Sequence, residues 1–184
     1  MNLPTRYEQF ISHFVPGVIG TFGIALCIER YCIPGTLSYI AAKLDTWQNF
    51  AVLSVVLIAS IMFVGLWIDA IKHWTVEKLF KKLVGRKDDD DTLSHLNALG
   101  VEKYMIVLNE YYFYYQYAVN SANALLLLTL PLPAYLFQRG LISCGLKCGL
   151  WVVLFGVILT LYVSGYHYYA RFYNAFAKLG SKKS

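Results

Sequence analysis

Charged residues are scarce in this sequence, and none of the common catalytic motifs occurs in it. Only 15% of the 184 residues are charged, against about 25% in a typical soluble domain. There is no glycine-rich phosphate loop, no His-Glu-x-x-His motif and no Ser-His-Asp set. The acidic run of residues 88–91 lacks the glycine and the distal glutamate of an EF-hand loop. These absences predict a protein that is not an enzyme and that binds neither a cofactor nor a metal ion.

Long apolar stretches fill nearly half of the chain. They cover roughly residues 14–33, 50–71, 117–137 and 149–169. Each is close to the ~20 residues with which a helix crosses ~30 Å of hydrocarbon. Backbone amides in hydrocarbon need internal partners, and the short alternating strands of a barrel are missing, so the stretches predict helices. We therefore expect an all-α integral membrane protein with four transmembrane helices in a single domain, residues 1–184.

The N-terminal residues 1–6 do not resemble a secretory signal. They lack a basic region that leads into a short apolar core and a small-residue cleavage site. The first apolar stretch is therefore expected to be a retained transmembrane span.

The distribution of lysine and arginine predicts the orientation in the membrane. Twelve of the sixteen basic residues lie in the N-terminal arm, in the segment 72–116 and in the C-terminal tail. Cytoplasmic loops carry an excess of basic residues. Both termini and the segment 72–116 are therefore predicted to be cytoplasmic, in a multi-pass protein of the inner membrane. The net charge of +5 could suggest a nucleic-acid partner, but the basic residues are distributed as membrane topology requires. We therefore expect a lipid bilayer as partner and no direct binding of nucleic acid.

The segment 72–116, called the insert here, is predicted to form a cytoplasmic helical hairpin between the second and third transmembrane helices. Its first half combines lysines with a tryptophan just inside the membrane, and such clusters bind anionic lipid or a protein partner. The candidate partner- or lipid-binding residues are Lys72, Trp74, Lys78, Lys81, Lys82, Arg86 and Lys87. The two helices of the hairpin are expected to pack against each other.

Polar and small residues within the spans predict where helices meet. Gln116, Asn120 and Asn123 share one face of the third span, and Gly17 and Gly20 allow a close approach on the first. Side-chain amides in lipid find partners on neighbouring helices, and small residues let helix backbones approach closely. The seam formed by these residues lies either between the helices of one chain or between the subunits of a homo-oligomer. In an oligomer, the amide face could also line a pore.

All four cysteines fall at the predicted outer ends of the spans. Cys27 and Cys32 leave the first span, and Cys144 and Cys148 enter the fourth. On the oxidising side of an inner membrane a disulfide is stable, and a link between the first and fourth spans suits helical geometry better than a link within either pair. A periplasm-facing thiol oxidoreductase is an alternative, but the Cys-x-x-Cys pair of such enzymes is missing.

Two functions outside enzymology fit these features. The chain is either an oligomeric membrane scaffold or sensor that recruits a soluble cytoplasmic partner through the insert, or a subunit that forms a pore. A scaffold predicts a stable complex with its partner and no conductance. A pore predicts leakage and growth arrest when the protein is overproduced.

The layout of the chain resembles the small membrane subunit of bacterial anti-phage defence systems such as Kiwa. The resemblance lies in the four spans, the cytoplasmic termini and the basic helix from His73 and Trp74 to Lys82 that leads into a charged hairpin. It covers the architecture of most of the chain but no specific motif, so no functional residue is carried over. It implies an oligomeric inner-membrane component that works in antiviral defence with a soluble, nucleic-acid-binding effector, which would engage the insert.

Overall fold

A computed structural model of the chain describes residues 4–43, 47–85 and 100–180, and its regular elements in these ranges are all helical. Numbered in chain order, the helices are α1 (Pro4–Cys27), α2 (Thr36–Ala42), α3 (Trp47–Trp74), α4 (Val76–Leu83), α5 (Val101–Val107), α6 (Phe113–Thr129), α7 (Leu132–Gln138) and α8 (Cys144–Gly180). Short π-helical turns extend α1 over Ile28–Cys32 and join α5 to α6 over Leu108–Tyr112.

Four helical segments are long and apolar enough to cross a membrane, which confirms the predicted fold class. Spans one to four are Phe10–Cys32, Phe50–Leu83, Val101–Gln138 and Cys144–Ala175, and each overlaps its predicted apolar stretch. The protein is therefore a multi-pass membrane protein. The helices run on past the apolar residues: α8 has 37 residues and is about 55 Å long, against about 30 Å of hydrocarbon.

Span three lies at the centre of the bundle. Its helix α6 packs along α1 on one side and along α8 on the other, and α3 packs mainly on α1. Val119 and Ala122 of α6 are completely buried as a result. Spans one and four are thus held apart by span three.

The two ends of the bundle carry different polar groups. At one end, called the Asp69 end, Asp69 of α3 meets residues of α1 and α6. At the opposite end, called the Glu29 end, Glu29 after α1 meets Arg139 after α7. The path along α1 from Ser12 to Glu29 is roughly 25 Å at 1.5 Å per residue, which is close to the thickness of the hydrocarbon core.

Glycine residues set the contact between spans one and two. Gly17 of α1 lies against the backbone carbonyl of Ile61, and Gly65 of α3 lies against the backbone carbonyl of His13. A Cβ atom at either position would clash with that carbonyl, so only glycine permits this crossing. A Cβ at Gly20 would lie 2.8 Å from Ile68 and 2.9 Å from Val64. The predicted close approach through Gly17 and Gly20 is therefore a contact within one chain.

The described parts of the insert pack on spans three and four. The chain turns at Thr75, and α4 places its Phe80 among tyrosines of α6 and α8. Helix α5 packs its Val107 against Phe172 of α8. The two halves of the insert meet where Phe80 contacts Tyr115. The contacts of both halves with α8 were not predicted. The expected tip of the hairpin, including Arg86 and Lys87, lies outside the described residues.

Candidate functional site

A cluster of polar side chains joins three spans at the Asp69 end. The Asp69 cluster consists of His13 from α1, Asp69, Lys72 and His73 from α3, and Asn120 from α6. Asp69 is its centre, because each of the other four side chains directs a nitrogen atom at its carboxylate. Ionisable groups within membrane segments are costly, and they mark functional or structural sites.

Asn120 ties span three to the other two spans. Its side chain is completely buried. Its Nδ2 donates to Asp69 Oδ1 at 3.0 Å and to the carbonyl oxygen of Ser12 at 3.2 Å. The amide thus links α6 with α3 and α1, in the manner expected of side-chain amides in lipid.

Lys72 is the most unusual member of the cluster, because it has no exposed surface. Its Nζ lies 2.6 Å from Asp69 Oδ1. The same ammonium lies 5.3 Å and 5.9 Å from the ring centres of Tyr115 and Tyr112, within the range of cation–π attraction. The prediction that Lys72 binds lipid or a partner is therefore wrong: the helical spacing Asp69-x-x-Lys72 turns this lysine inward onto its counter-ion.

The two histidines approach the other carboxylate oxygen. The Nε2 atoms of His13 and His73 lie 3.6 Å and 3.4 Å from Asp69 Oδ2. His73 also contacts the carboxylate of Glu77 through its Nδ1, and Glu77 Oε1 lies 4.0 Å from Lys81 Nζ. A chain of polar side-chain contacts thus runs from the Asp69 cluster into helix α4 and links the start of that helix to α3.

Helix α4 is anchored by a single aromatic side chain. Phe80 is 5% exposed, and its ring lies 5.4 Å from Tyr166, 5.8 Å from Tyr169 and 6.2 Å from Tyr115, measured between ring centres. Val76 and Val84 flank it on the same side of the helix. Aromatic pairs at such distances add to the apolar burial. These residues form the aromatic pocket of the Asp69 end.

The side of α4 that faces away from the aromatic pocket is exposed. Trp74, Lys78 and Lys82 point away from the bundle, and Leu79 and Leu83 of α4 are also exposed. We call these five residues the basic platform. Three of the predicted binding residues, Trp74, Lys78 and Lys82, are therefore on an accessible surface, whereas Lys81 is half-buried beside Glu77. Arg86 and Lys87 lie outside the described residues.

The predicted seam residues face other helices of the same chain. Gln116 and Asn120 are buried, and Asn123 Oδ1 accepts a hydrogen bond of 2.5 Å from the hydroxyl of Tyr162 in α8. Together they connect span three with spans one, two and four. These contacts correspond to the predicted seam between helices of one chain.

The cysteines lie at the Glu29 end and are all free thiols. Span three separates span one, with Cys27, from span four, with Cys144 and Cys148. The predicted cross-link between spans one and four is thus not present. Cys32, Cys144 and Cys148 are exposed, and Cys27 is half-buried.

No metal centre is formed by the described part of the chain, where no three His, Cys, Asp or Glu side chains are placed to hold a metal ion. His13 and His73 do come together on Asp69, while His167 is exposed on α8. The Asp69 cluster itself was not predicted. Its local part had a signal in the sequence, since Asp69, Lys72, His73 and Glu77 follow one another at the three- and four-residue spacings of a helix, although a turn at Thr75 separates Glu77 from the other three.

Comparisons of the chain with models of protein families, with curated proteins and with solved structures find no match.

Proposed function

We propose that this protein is an oligomeric scaffold or sensor subunit of the inner membrane that recruits a soluble cytoplasmic effector. In this proposal both termini and the Asp69 end face the cytoplasm, as the distribution of basic residues predicts. The effector, and not this chain, is the component that would bind nucleic acid. Anti-phage defence is the proposed setting, and it rests on the resemblance in layout described above.

The observation that carries the proposal is the basic platform. One side of α4 is fixed in the aromatic pocket through Phe80, and the other side exposes Lys78 and Lys82 next to Trp74. A surface that is both rigidly held and exposed suits docking, because little ordering entropy is lost on binding. Aromatic and basic side chains also suit the headgroup region of anionic lipids.

Charge reversal on the platform tests this function. We expect the variant carrying Lys78→Glu and Lys82→Glu to insert and fold normally, because both side chains are exposed and outside the aromatic pocket. It should lose the soluble protein that copurifies with the wild type in mild detergent, with at least about a tenfold drop for two lost charge contacts. The measurement is affinity purification from the native host followed by mass determination of the eluate.

The matched control is Lys103→Glu, compared with Lys78→Glu alone. Lys103 is exposed on α5 at the same end of the bundle, so the control removes the same charge from a different helix. Equal copurification by the wild type, the platform variants and the control would contradict a role of the platform. The absence of any stoichiometric soluble protein in the wild-type eluate would contradict the scaffold function itself.

A homo-oligomer needs a contact surface other than the predicted seam, and span four offers one. Helix α8 packs on the bundle through Ile158, Gly165 and Tyr169, while Gly149 and Gly156 lie on its opposite, exposed face. Apart from the neighbouring residues and backbone of α8 itself, no described atom lies within 4 Å of a Cβ built on either exposed glycine. Small residues on a lipid-facing side allow a second helix to approach closely. We expect the subunits to meet along this face of span four.

Adding bulk to this face should reduce the oligomer. The variant carrying Gly149→Leu and Gly156→Leu is expected to shift the protein toward the monomer, because leucine keeps two helix backbones apart. The mass of the protein–detergent complex, measured by light scattering during gel filtration, gives the result. Val157→Phe adds bulk to an exposed position outside the glycine face and should leave the mass unchanged. If the glycine variant forms a complex of the same mass as the wild type, the contact between subunits lies elsewhere.

The two alternatives from the sequence have less support than the scaffold. A pore required that the amide face of span three be open to a neighbouring subunit, and Gln116, Asn120 and Asn123 face helices of their own chain. A thiol oxidoreductase required a reactive pair of cysteines, and the four thiols lack the Cys-x-x-Cys spacing. Neither function has a supporting observation among the described residues.

A further inference from the structure

A second polar site lies at the Glu29 end, about one membrane thickness away from the basic platform. It is a cavity of about 310 Å³ between the end of α1, the start of α2 and the end of α7. Arg30 and Arg139 border it, together with Glu29, Tyr135 and Gln138. The proposed scaffold function does not use this cavity.

The carboxylate of Glu29 is already satisfied by groups of the protein. Its Oε2 accepts the backbone N–H of Leu37 at 3.0 Å. Its Oε1 accepts the backbone N–H of Gly35 and the Nη2 of Arg139, both at 3.2 Å. Glu29 is 3% exposed, so its role is structural: it holds Arg139 at the cavity. The hydrogen bonds and the charge of Arg139 offset the negative charge of its carboxylate.

Among the described residues, most donors of the two arginines have no protein partner. A guanidinium offers five N–H donors. Arg30 spends one on Gln138 Oε1 at 3.0 Å, and Arg139 spends one on Glu29. The Nε of Arg30 is buried and has no hydrogen-bond partner in the described part of the chain. Buried donors are nearly always satisfied in folded proteins, by protein, water or ligand, so this Nε needs an acceptor that the described residues do not supply.

The arginines are also held in place by neighbouring rings. The guanidinium carbon of Arg30 lies 5.0 Å from the ring centre of Tyr31, and that of Arg139 lies 5.3 Å from Tyr135. Stacking on an aromatic ring fixes the plane of a guanidinium and so directs its fork of donors. With two guanidinium groups and one carboxylate, the cavity carries an excess of one positive charge.

We infer that this cavity binds an oxyanion of the phosphate type, with Arg30 and Arg139 as its ligands. Arginine pairs with phosphate oxygens through two parallel N–H donors, which matches the free forks of these two side chains. The cavity lies where spans one and three end, at Cys32 and Gln138, and therefore at the depth of the lipid phosphates. The oxyanion is the phosphate of an anionic phospholipid or a soluble phosphate.

The test uses the intact protein in mild detergent with two probes, dimyristoylphosphatidylglycerol and sodium phosphate. Native mass spectrometry gives the fraction of protein that carries one lipid, with a diacylglycerol of the same chains as the phosphate-free reference. Arg30→Gln should weaken phosphatidylglycerol binding by about tenfold, since it removes a charge-assisted pair of hydrogen bonds. Lys147→Gln is the matched control, because Lys147 stacks on Phe137 and Trp151 at the same end and does not line the cavity.

Each outcome decides the proposal. Competition by sodium phosphate that depends on Arg30 assigns the site to a soluble oxyanion, and Arg30-dependent lipid binding without such competition assigns it to a lipid headgroup. If Arg30→Gln and Lys147→Gln weaken phosphatidylglycerol binding equally, the lipid responds only to the overall positive charge of this end, and the proposed site is overturned. Failure of both probes to bind the wild type would overturn it as well. Arg30→Lys keeps the charge but not the fork, so it should still bind several-fold more weakly than the wild type, and it carries the test if Arg30→Gln does not fold.

Discussion

Replacing Asp69 with alanine is expected to destabilise the bundle more than any other single change at the polar cluster. The substitution leaves Lys72 without its counter-ion in a site where it has no exposed surface. Breaking a buried ion pair by removing one partner costs about 3–5 kcal/mol. The bond from Asn120 Nδ2 to Asp69 is lost as well. The expected result is a clear fall in the midpoint of thermal or denaturant unfolding, measured in detergent by tryptophan fluorescence.

A double variant separates the ion pair from the shape of the site. Asp69→Leu combined with Lys72→Met removes both charges and keeps apolar side chains in their place, and such replacements of buried ion pairs are often neutral or stabilising. We therefore expect the double variant to recover most of the stability lost by Asp69→Ala. An Asp69→Ala protein as stable as the wild type would mean that water reaches Lys72 and that the pair is not a structural element. If the double variant is stable but no longer copurifies with the partner, the charges of Asp69 and Lys72 are needed for recruitment of the partner and not for folding.

The fold class followed directly from composition and length. Stretches of about 20 apolar residues leave few alternatives to membrane helices, and the four observed spans overlap all four stretches. The ends of the helices were less predictable. Hydropathy indicates only which residues lie in the hydrocarbon. Helix α8 continues beyond them because it still has packing partners: its Phe172 and Tyr173 belong to one cluster with Tyr104 and Tyr112.

The site could be predicted only where its residues are close in sequence. The inward direction of Lys72 follows from its spacing to Asp69 on one helix, although the density of lysines around it favoured a surface position. The partners of Asn120 and Glu29 could not be predicted. Asp69 and Asn120 are 51 residues apart, and Glu29 and Arg139 are 110 apart, so only the packing of the spans brings them together. The same polar residues fit an internal seam and an oligomer seam equally well before that packing is known.

Replacing Phe80 with alanine is expected to release helix α4 from the bundle while the other helices stay folded. Phe80 fills the aromatic pocket between Tyr115, Tyr166 and Tyr169, and truncating a buried phenylalanine costs about 3–5 kcal/mol. The other contacts of this eight-residue helix, those of Val76 and of Glu77 with His73, lie in its first turn and cannot hold the rest of it. Local opening then becomes far more frequent, so the amides of α4 should lose hydrogen-exchange protection by about 10²-fold. Hydrogen exchange read by mass spectrometry measures this directly in detergent.

Leu79→Ala is the matched control, because Leu79 neighbours Phe80 on the same helix and is 54% exposed. It should change the protection of α4 by much less than Phe80→Ala. If the two variants exchange alike, α4 is held by detergent or lipid at its exposed leucines and not by the aromatic pocket. The position of the basic platform would then not depend on the packing of the bundle, and the platform could not signal a change in that packing to a partner. If Phe80→Ala alone frees α4 and also abolishes copurification of the partner while Lys78 and Lys82 are intact, the partner requires the position of the platform as well as its charge.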